Sequence, residues 1–383
     1  MSIKERVLHF FLKTYLFSKY RFHYSFEDGF DPDRTDPYLL IGNHSSLVDG
    51  LITSIPLGRY PYPIINAFMY RTPFMKFVLT QLIHSIPKRK GQSDISTIRT
   101  VLDTVKNENR GVMLFPEGNA SYFGKESPIP YSTAKLLKKM KLDIVVCKVD
   151  GGYLSNPRWA DRPVKKGYFD IRYYTLLKAA DLESMDLDAL YAKIVEALKF
   201  NDFDWNRVRK ERYDLSHRAE GLERFVYACP QCGNAQSIYT KKNAVYCRHC
   251  GRIAEFNEFS LLEGLPFDNL VDWDQFQKTL VPELVKQPLH SVGEMEEVDF
   301  SRRRVRAVKI GRFSITLHNG ILHFENPSKS FDFSLPLIQN LTLTRKEELS
   351  FDYEGKTFFV AFKDPMLFFD AINHLNGGHD KNG

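Results

Sequence analysis

A histidine and an aspartate five positions apart, in Asn43-His44-Ser45-Ser46-Leu47-Val48-Asp49-Gly50, are the first residues whose types can do chemistry together. In a regular helix their side chains point about 140° apart, and in a strand to opposite faces, so they meet only in a turn. A turn leaving a buried strand allows the carboxylate to accept the imidazole Nδ1–H and leaves Nε2 as a base. This is two thirds of a catalytic triad without its nucleophile. Such a pair can deprotonate the hydroxyl of a bound alcohol and send it onto an activated carbonyl with no acyl-enzyme between. A second block, Phe115-Pro116-Glu117-Gly118, also follows an apolar run and reaches the sheet edge where α/β folds place ligands. Taken alone, His44 reads as a capping or packing histidine, Asp49 as a first-turn acid and Glu117 as a solvated loop acid. The two blocks together reverse that reading.

Four cysteines make a second chemical group. Cys229-Pro230-Gln231-Cys232-Gly233 and Cys247-Arg248-His249-Cys250-Gly251 are two short loops, each with a glycine after its second cysteine. Each loop offers two thiolates to one metal, and the four together suit a tetrahedral structural zinc site. His249 is a rival ligand, but Cys250 has the better spacing. The site implies no open coordination position and no redox cofactor. Cys147 reads as a buried strand residue.

The elements that must position these groups follow from periodicity. Tyr38-Leu39-Leu40-Ile41 reads as a buried strand directly before the His44 loop, and residues 62–68 as another. A helix starts near Pro73, where proline suits a first turn. Ser93 or Asp94 caps a helix carrying Ile95, Ile98, Leu102 and Val105, and Val112-Met113-Leu114-Phe115 is the next strand. A basic helix follows Pro130, then the strand Ile144-Val145-Val146-Cys147, a half-buried strand through Phe169, Ile171 and Tyr173, and a helix over 186–200. Beyond residue 298 the chain turns strand-like around a His318-Asn319-Gly320 hairpin turn and ends in a helix with Leu367, Phe368, Ile372 and Leu375 on one face.

The whole therefore reads as an α/β mixed-sheet domain, then a four-cysteine zinc ribbon, then a small β-rich domain with a C-terminal helix. The divisions are an N-terminal amphipathic segment over 1–36, the α/β domain over 37–200, and a helical linker over 201–225. The ribbon occupies 226–256, a connector 257–297 and the β-rich domain 298–383. No apolar stretch reaches the ~20 residues that span a bilayer, and the N-terminus lacks a signal-peptide pattern, so a cytoplasmic protein is expected. Residues 7–17 are nevertheless rich in large apolar and aromatic side chains with lysine and arginine around them, as in a helix lying in a membrane interface or packing on the domain behind it. A formal charge of +6 fits an anionic membrane surface or a phosphorylated substrate as well as it fits nucleic acid and by itself decides nothing, and an aromatic share of 14% suits large cores or an interface.

Over roughly residues 35–175 the two blocks, in this order and separation, resemble the glycerolipid acyltransferases, typified by 1-acylglycerol-3-phosphate acyltransferase. The resemblance implies His44 as general base, Asp49 as its orienting acid and Glu117 as a third catalytic-site group that helps position the acceptor, with Asn43, Phe115, Pro116 and Gly118 around the substrate. It also implies that Arg89 or Lys90, in Ile86-Pro87-Lys88-Arg89-Lys90, pairs with the acceptor phosphate. The implied reaction moves a fatty acyl group from an acyl thioester, on coenzyme A or acyl-carrier protein, to the hydroxyl of a lysophosphatidate or related acceptor, at the inner face of the membrane. Two departures fall around the acceptor pocket. Asn119-Ala120-Ser121 stands where the family commonly has Thr-Arg-Ser, and Val146-Cys147-Lys148-Val149 replaces a Val-Pro segment.

The C-terminal strands look like a pleckstrin-homology-type module, on pattern alone. Arg302, Arg304 and Arg306 share a strand face with Arg303 opposite, either to meet anionic headgroups or to defend an edge strand. The ribbon reads as a folded spacer with room for a protein partner; nucleic acid is not expected. The competing readings are a non-catalytic lipid- or nucleic-acid-binding adaptor that keeps the fold, and a hydrolase using His44 to activate water.

Overall fold

The computed structural model describes residues 3–88, 95–162, 164–214, 216–299, 306–344 and 346–377. They form two compact units, residues 1–158 with 163–214, and residues 159–162 with 215–382. Arg89, Lys90, the cap at Ser93 or Asp94, and the arginines Arg302, Arg303 and Arg304 lie outside the described residues.

In the first unit, Leu39, Leu40 and Ile41 are all buried in β2 (Leu39–Gly42), so both faces of that strand are covered. Its sheet also contains β1 (Tyr20–Phe26), β3 (Tyr62–Asn66), β4 (Ile86–Lys88), β5 (Val112–Leu114), β6 (Ile144–Asp150) and β7 (Gly167–Leu177). The spatial order is β1-β7-β6-β2-β5-β3-β4, which puts β2 at the centre. Strands β6, β2, β5, β3 and β4 run parallel, β7 is antiparallel to β6, and β1 pairs parallel with β7, so the sheet is mixed as expected.

The helices are α1 (Ile3–Lys19), α2 (Asp49–Ile52), α3 (Pro73–Phe77), α4 (Ile95–Glu108), α5 (Ser132–Met140), α6 (Gly152–Ser155), α7 (Ala179–Ser184), α8 (Leu187–Leu198) and α9 (Asp202–Arg209). Strand alternation divides the core into two layers. Leu39, Ile41, Val112, Ile144 and Val146 pack under Val101 of α4, Leu137 of α5 and Ile194 of α8. Leu40, Met113, Val145, Cys147, Phe169 and Tyr173 pack under Leu16 of α1 and Ile52 of α2. β1 lies within the span read as an N-terminal segment, and α9 within the span read as a linker. The Asp202 carboxylate of α9 accepts from the backbone N–H groups of Gly151 and Tyr153 at 3.0 and 2.7 Å, closing the end of β6.

The second unit begins with the antiparallel strands β8 (Ile238–Lys241), β9 (Ala244–Cys247), β10 (Gly251–Phe256) and β11 (Leu262–Glu263), followed by α10 (Leu270–Leu284). A seven-stranded antiparallel sheet comes next: β12 (Leu289–Asp299), β13 (Arg306–His318), β14 (Ile321–Asn326), β15 (Lys329–Ser334), β16 (Gln339–Leu343), β17 (Glu348–Tyr353) and β18 (Lys356–Phe362), in the order β15-β14-β13-β12-β18-β17-β16. It ends in α11 (Pro365–Leu375), so the expected β-rich region closing on a helix is present. The central strand, β12, begins within the span read as a connector. His318 pairs with Ile321 across Asn319 and Gly320, whose φ angles of 49° and 73° match the right-handed twist of a tight hairpin. Phe333 anchors the interior, its ring centroid 5.4, 5.2 and 5.0 Å from those of Phe324, Phe351 and Phe358.

Buried polar bonds fasten the cysteine-bearing segment to both helices of this unit. Gln277 of α10 accepts from the Tyr227 backbone N–H at 3.0 Å and donates to the Phe225 carbonyl at 3.1 Å. Trp273 Nε1 donates to the Ala228 carbonyl at 2.9 Å, and the Tyr227 hydroxyl donates to Asp370 of α11 at 3.0 Å. Burial pushes the Asp370 carboxyl up to about 7.

Candidate functional site

The chain leaves β2 at Gly42, where an added Cβ would lie 2.8 Å from Cε1 of Phe115 and 3.1 Å from the Cys147 carbonyl oxygen; only glycine lets the neighbours come this close. The next residue, Asn43, is fully buried. Its amide donates to the Val149 carbonyl and accepts from the Val149 N–H, both at 2.7 Å, which ties the end of β2 to β6. That pairing gives Asn43, read from sequence as a substrate contact, a place in the scaffold.

The turn that follows brings His44 and Asp49 together: Nδ1 of the imidazole lies 3.0 Å from Oδ2 of the carboxylate. Asp49 has no solvent exposure, and its oxygens also accept from the Ser46 N–H at 2.8 Å, the Ser46 hydroxyl at 2.5 Å and the Ser45 hydroxyl at 3.3 Å. A carboxylate so surrounded is a fixed acceptor, which assigns the imidazole the Nδ1–H tautomer. Nε2 makes no hydrogen bond among the described residues, and the side chain keeps 20% of its surface exposed. The ring is held by Phe115, stacked at 4.6 Å between centroids and 25° between planes.

The second block secures His44 from behind. Glu117 Oε1 accepts from the His44 N–H at 2.7 Å and Oε2 from the Ser127 N–H at 2.8 Å, while Ser121 donates its N–H to the His44 carbonyl at 2.8 Å. Both backbone polar groups of His44 are thus taken by the loop after β5. Burial pushes the Glu117 carboxyl up to about 8, against the lowering effect of its two N–H donors. Gly118, at φ +73°, closes the turn with its N–H on the Phe115 carbonyl, a backbone conformation that favours glycine. Arg158 donates to the Ala120 carbonyl at 3.0 Å and its guanidinium lies 4.6 Å from the Tyr122 ring centroid, so a cation braces the segment whose own expected arginine is absent.

The sequence names His44, Asp49, Glu117, Phe115, Pro116, Gly118 and Asn43, and the fold brings their two loops into register. It does not name the supporting Ser45, Ser46, Ser121 and Ser127. The hydroxyl pair between His44 and Asp49 is a visible signal, because short polar side chains in a turn bond to nearby groups; nothing in sequence marks Ser127.

In the second unit the Sγ atoms of Cys229, Cys232, Cys247 and Cys250 all lie within 4.8 Å of one another. Cys229 and Cys250 are 4.0 Å apart, Cys232 and Cys247 3.8 Å. Tetrahedral coordination with ~2.3 Å metal–sulfur bonds sets neighbouring sulfurs about 3.8 Å apart, so the four thiols fit one ion. Gly233 and Gly251, at φ +73° and +77°, make the two tight turns. His249 enters through its backbone, whose N–H donates to Cys247 Sγ at 3.4 Å.

Residues 26–171 match the family model Acyltransferase, a span that holds both loops of the site. No curated protein matches the chain. Among solved structures, the 1-acyl-sn-glycerophosphate (LPA) acyltransferase PlsC from Thermotoga maritima is similar over 53% of this chain and 79% of its own, at 17% sequence identity and a TM-score of 0.40. On the family match, the chain carries an acyltransferase-family domain, and the class this domain defines is that of the acyltransferases.

Proposed function

We propose that the protein transfers a fatty acyl group from an acyl thioester to the hydroxyl of a lysophosphatidate or related glycerophospholipid. The observation that supports this best is the imidazole whose Nδ1 is bound to a buried carboxylate while Nε2 has no hydrogen-bond partner among the described residues. Nε2 takes the proton of the acceptor hydroxyl as its oxygen attacks the thioester carbonyl. The tetrahedral oxyanion then collapses, the carbon–sulfur bond breaks, and the thiolate leaves with the proton that His44 carries. Asp49 fixes the tautomer and steadies the imidazolium. Glu117 is a positioning residue that holds the His44 peptide, and Arg89 or Lys90 binds the acceptor phosphate.

We infer that the four cysteines hold zinc as a structural cross-link; the ion would fasten the two cysteine loops and take no part in transfer. Among the described residues no helix is long and apolar enough to cross a membrane, and a lipid acceptor draws the protein to the inner membrane surface. Purified protein incubated with lysophosphatidate, other lysophospholipids and glycerol 3-phosphate, each with acyl-coenzyme A or acyl-carrier protein, tests the proposal by mass spectrometry. A new acylated product from one pairing supports it. Release of free fatty acid alone would favour a hydrolase, and no conversion of any kind a binding protein.

A further inference from the structure

On β6, Ile144 and Val146 pack into the layer that holds α8, and Lys148 comes next on that same face of the strand. Its register partner on the antiparallel neighbour β7 is Arg172, so two cations stand directly opposite each other. Like charges so placed destabilise a sheet unless something neutralises them. Asp150 serves Arg172, its carboxylate 2.9 Å from the guanidinium. Lys148 is half-buried and has no hydrogen bond or ion pair among the described residues. Burial holds its ammonium below the usual lysine range, against the pull of Asp150. The other acids that act on it, Glu126 and Asp202, are engaged by the backbone N–H groups of Phe200, Gly151 and Tyr153.

Lys148 and Arg172 line a cavity of about 440 Å³, within the ordinary range for a small-molecule site. The sheet also contributes Tyr174 and Leu176, and α8 contributes Lys193, Glu196 and Ala197, which share one helical face at spacings of three and four. Three cations thus meet one acid, and Glu196 is bonded to Lys199 at 2.6 Å. Lys193 and the Tyr174 hydroxyl have no partner among the described residues. Along β7 the wall runs from Arg172 through the half-buried Tyr174 to Leu176, which packs with Ala197 against the core. One end of the cavity is therefore cationic and the other apolar. None of its residues belongs to the His44 or Glu117 loop; Cys147 and Tyr173 of the same two strands face the opposite layer, where Phe115 packs. Lys148 itself stands in the segment 146–149, where the sequence departs from the acyltransferase pattern.

We infer that this cavity is a phosphate-ester site separate from the acceptor contact read at Arg89 or Lys90: Lys148, Arg172 and Lys193 take the phosphate, and Tyr174, Leu176 and Ala197 take the apolar or ring portion of the same molecule. Two sources share that chemistry, the nucleotide of a coenzyme A donor and the headgroup of a glycerophosphate acceptor. Naming them rests on the acyl-transfer reading; the binding does not. Isothermal titration of the full chain with adenosine 3′,5′-bisphosphate, glycerol 3-phosphate and inorganic phosphate should give at least one dissociation constant below about 1 mM. Lys148→Met, with unchanged circular dichroism, should weaken that binding at least about tenfold. Lys193→Met, at an exposed helix position that spares the sheet, should act in the same direction. Lys286→Met, which removes a surface charge from the other unit, should leave it unchanged. Bisphosphate binding that depends on Lys148 assigns the cavity to the nucleotide, and glycerol 3-phosphate binding that depends on it assigns the cavity to the acceptor. The inference is overturned by no binding of any of the three probes, by wild-type affinity in both cavity variants, or by an equal loss in Lys286→Met. A chain that transfers no acyl group yet keeps Lys148-dependent phosphate binding would count against the proposed function alone.

Discussion

Around Asp49 both carboxylate oxygens have donors, from His44, Ser45 and Ser46, and the pair is complete within the protein. Around the four thiols of the second unit the close partners are largely the sulfurs themselves, at 3.8 and 4.0 Å, with few donors nearby such as the Asn234 amide at 3.3 Å from Cys232. A polar centre saturated by its own chain keeps its shape alone and leaves one atom, Nε2, for chemistry. Four clustered sulfurs could hold one metal ion between them. On the proposed reading the first arrangement serves reaction and the second architecture, and each can be attacked separately.

The largest effect should come from the thiols. Structural zinc contributes on the order of 10 kcal/mol to the folding of small zinc modules. Chelation, or Cys229→Ser with Cys250→Ser in the full chain, should therefore abolish the thermal transition of the second unit while the first still melts. About one zinc per chain by elemental analysis is the companion result, and a metal-free chain with an undisturbed second transition would remove the architectural role.

Next comes Asp49→Asn, which keeps the shape of the side chain but can donate toward Nδ1 and favour the wrong tautomer. The turnover number should fall on the order of 10⁴-fold with the Michaelis constant little changed. A fall confined to substrate affinity would instead make Asp49 a binding residue.

The smallest effect concerns Glu117. Its folded pKa of about 8 lies above the ordinary carboxylate value of 4.5, so the folded state binds more protons than the unfolded one. Its contribution is fully present below about 4.5 and is lost as pH rises toward 8. Glu117→Gln should flatten part of the decline in melting temperature across that window and leave the fold intact. An unaltered slope would mean that Glu117 is ionised throughout. Asp202, pushed up to about 8 by burial, and Asp370, pushed up to about 7, should keep part of the slope in both proteins.

Much of the site is legible in the sequence because its logic is local. His44 and Asp49 belong to one turn, the cysteine loops are four and four residues long, and the hairpin at Asn319-Gly320 states its own backbone angles. β1 escapes a sequence reading although Tyr20, Phe22, Tyr24 and Phe26 alternate with Arg21, His23 and Ser25, because α1 runs into it with no turn residue between Lys19 and Tyr20. Its partner, β7, lies more than a hundred residues onward, beyond the reach of a local pattern. The pairing of Asn43 with Val149 and the cap from Asp202 are hidden for the same reason, since chain distance conceals which backbone groups a fold leaves in need of a partner. β12 is obscure because Leu289–Asp299 alternates weakly, with glutamates on its open positions and a glycine at 293.

Replacement of His44 by alanine, assayed with a lysophospholipid acceptor and an acyl thioester under saturating conditions, tests the central claim most directly. The turnover number should drop at least about a thousandfold while the melting temperature stays near that of the wild type. Acyl transfer by the variant at an undiminished rate would show that the base lies elsewhere.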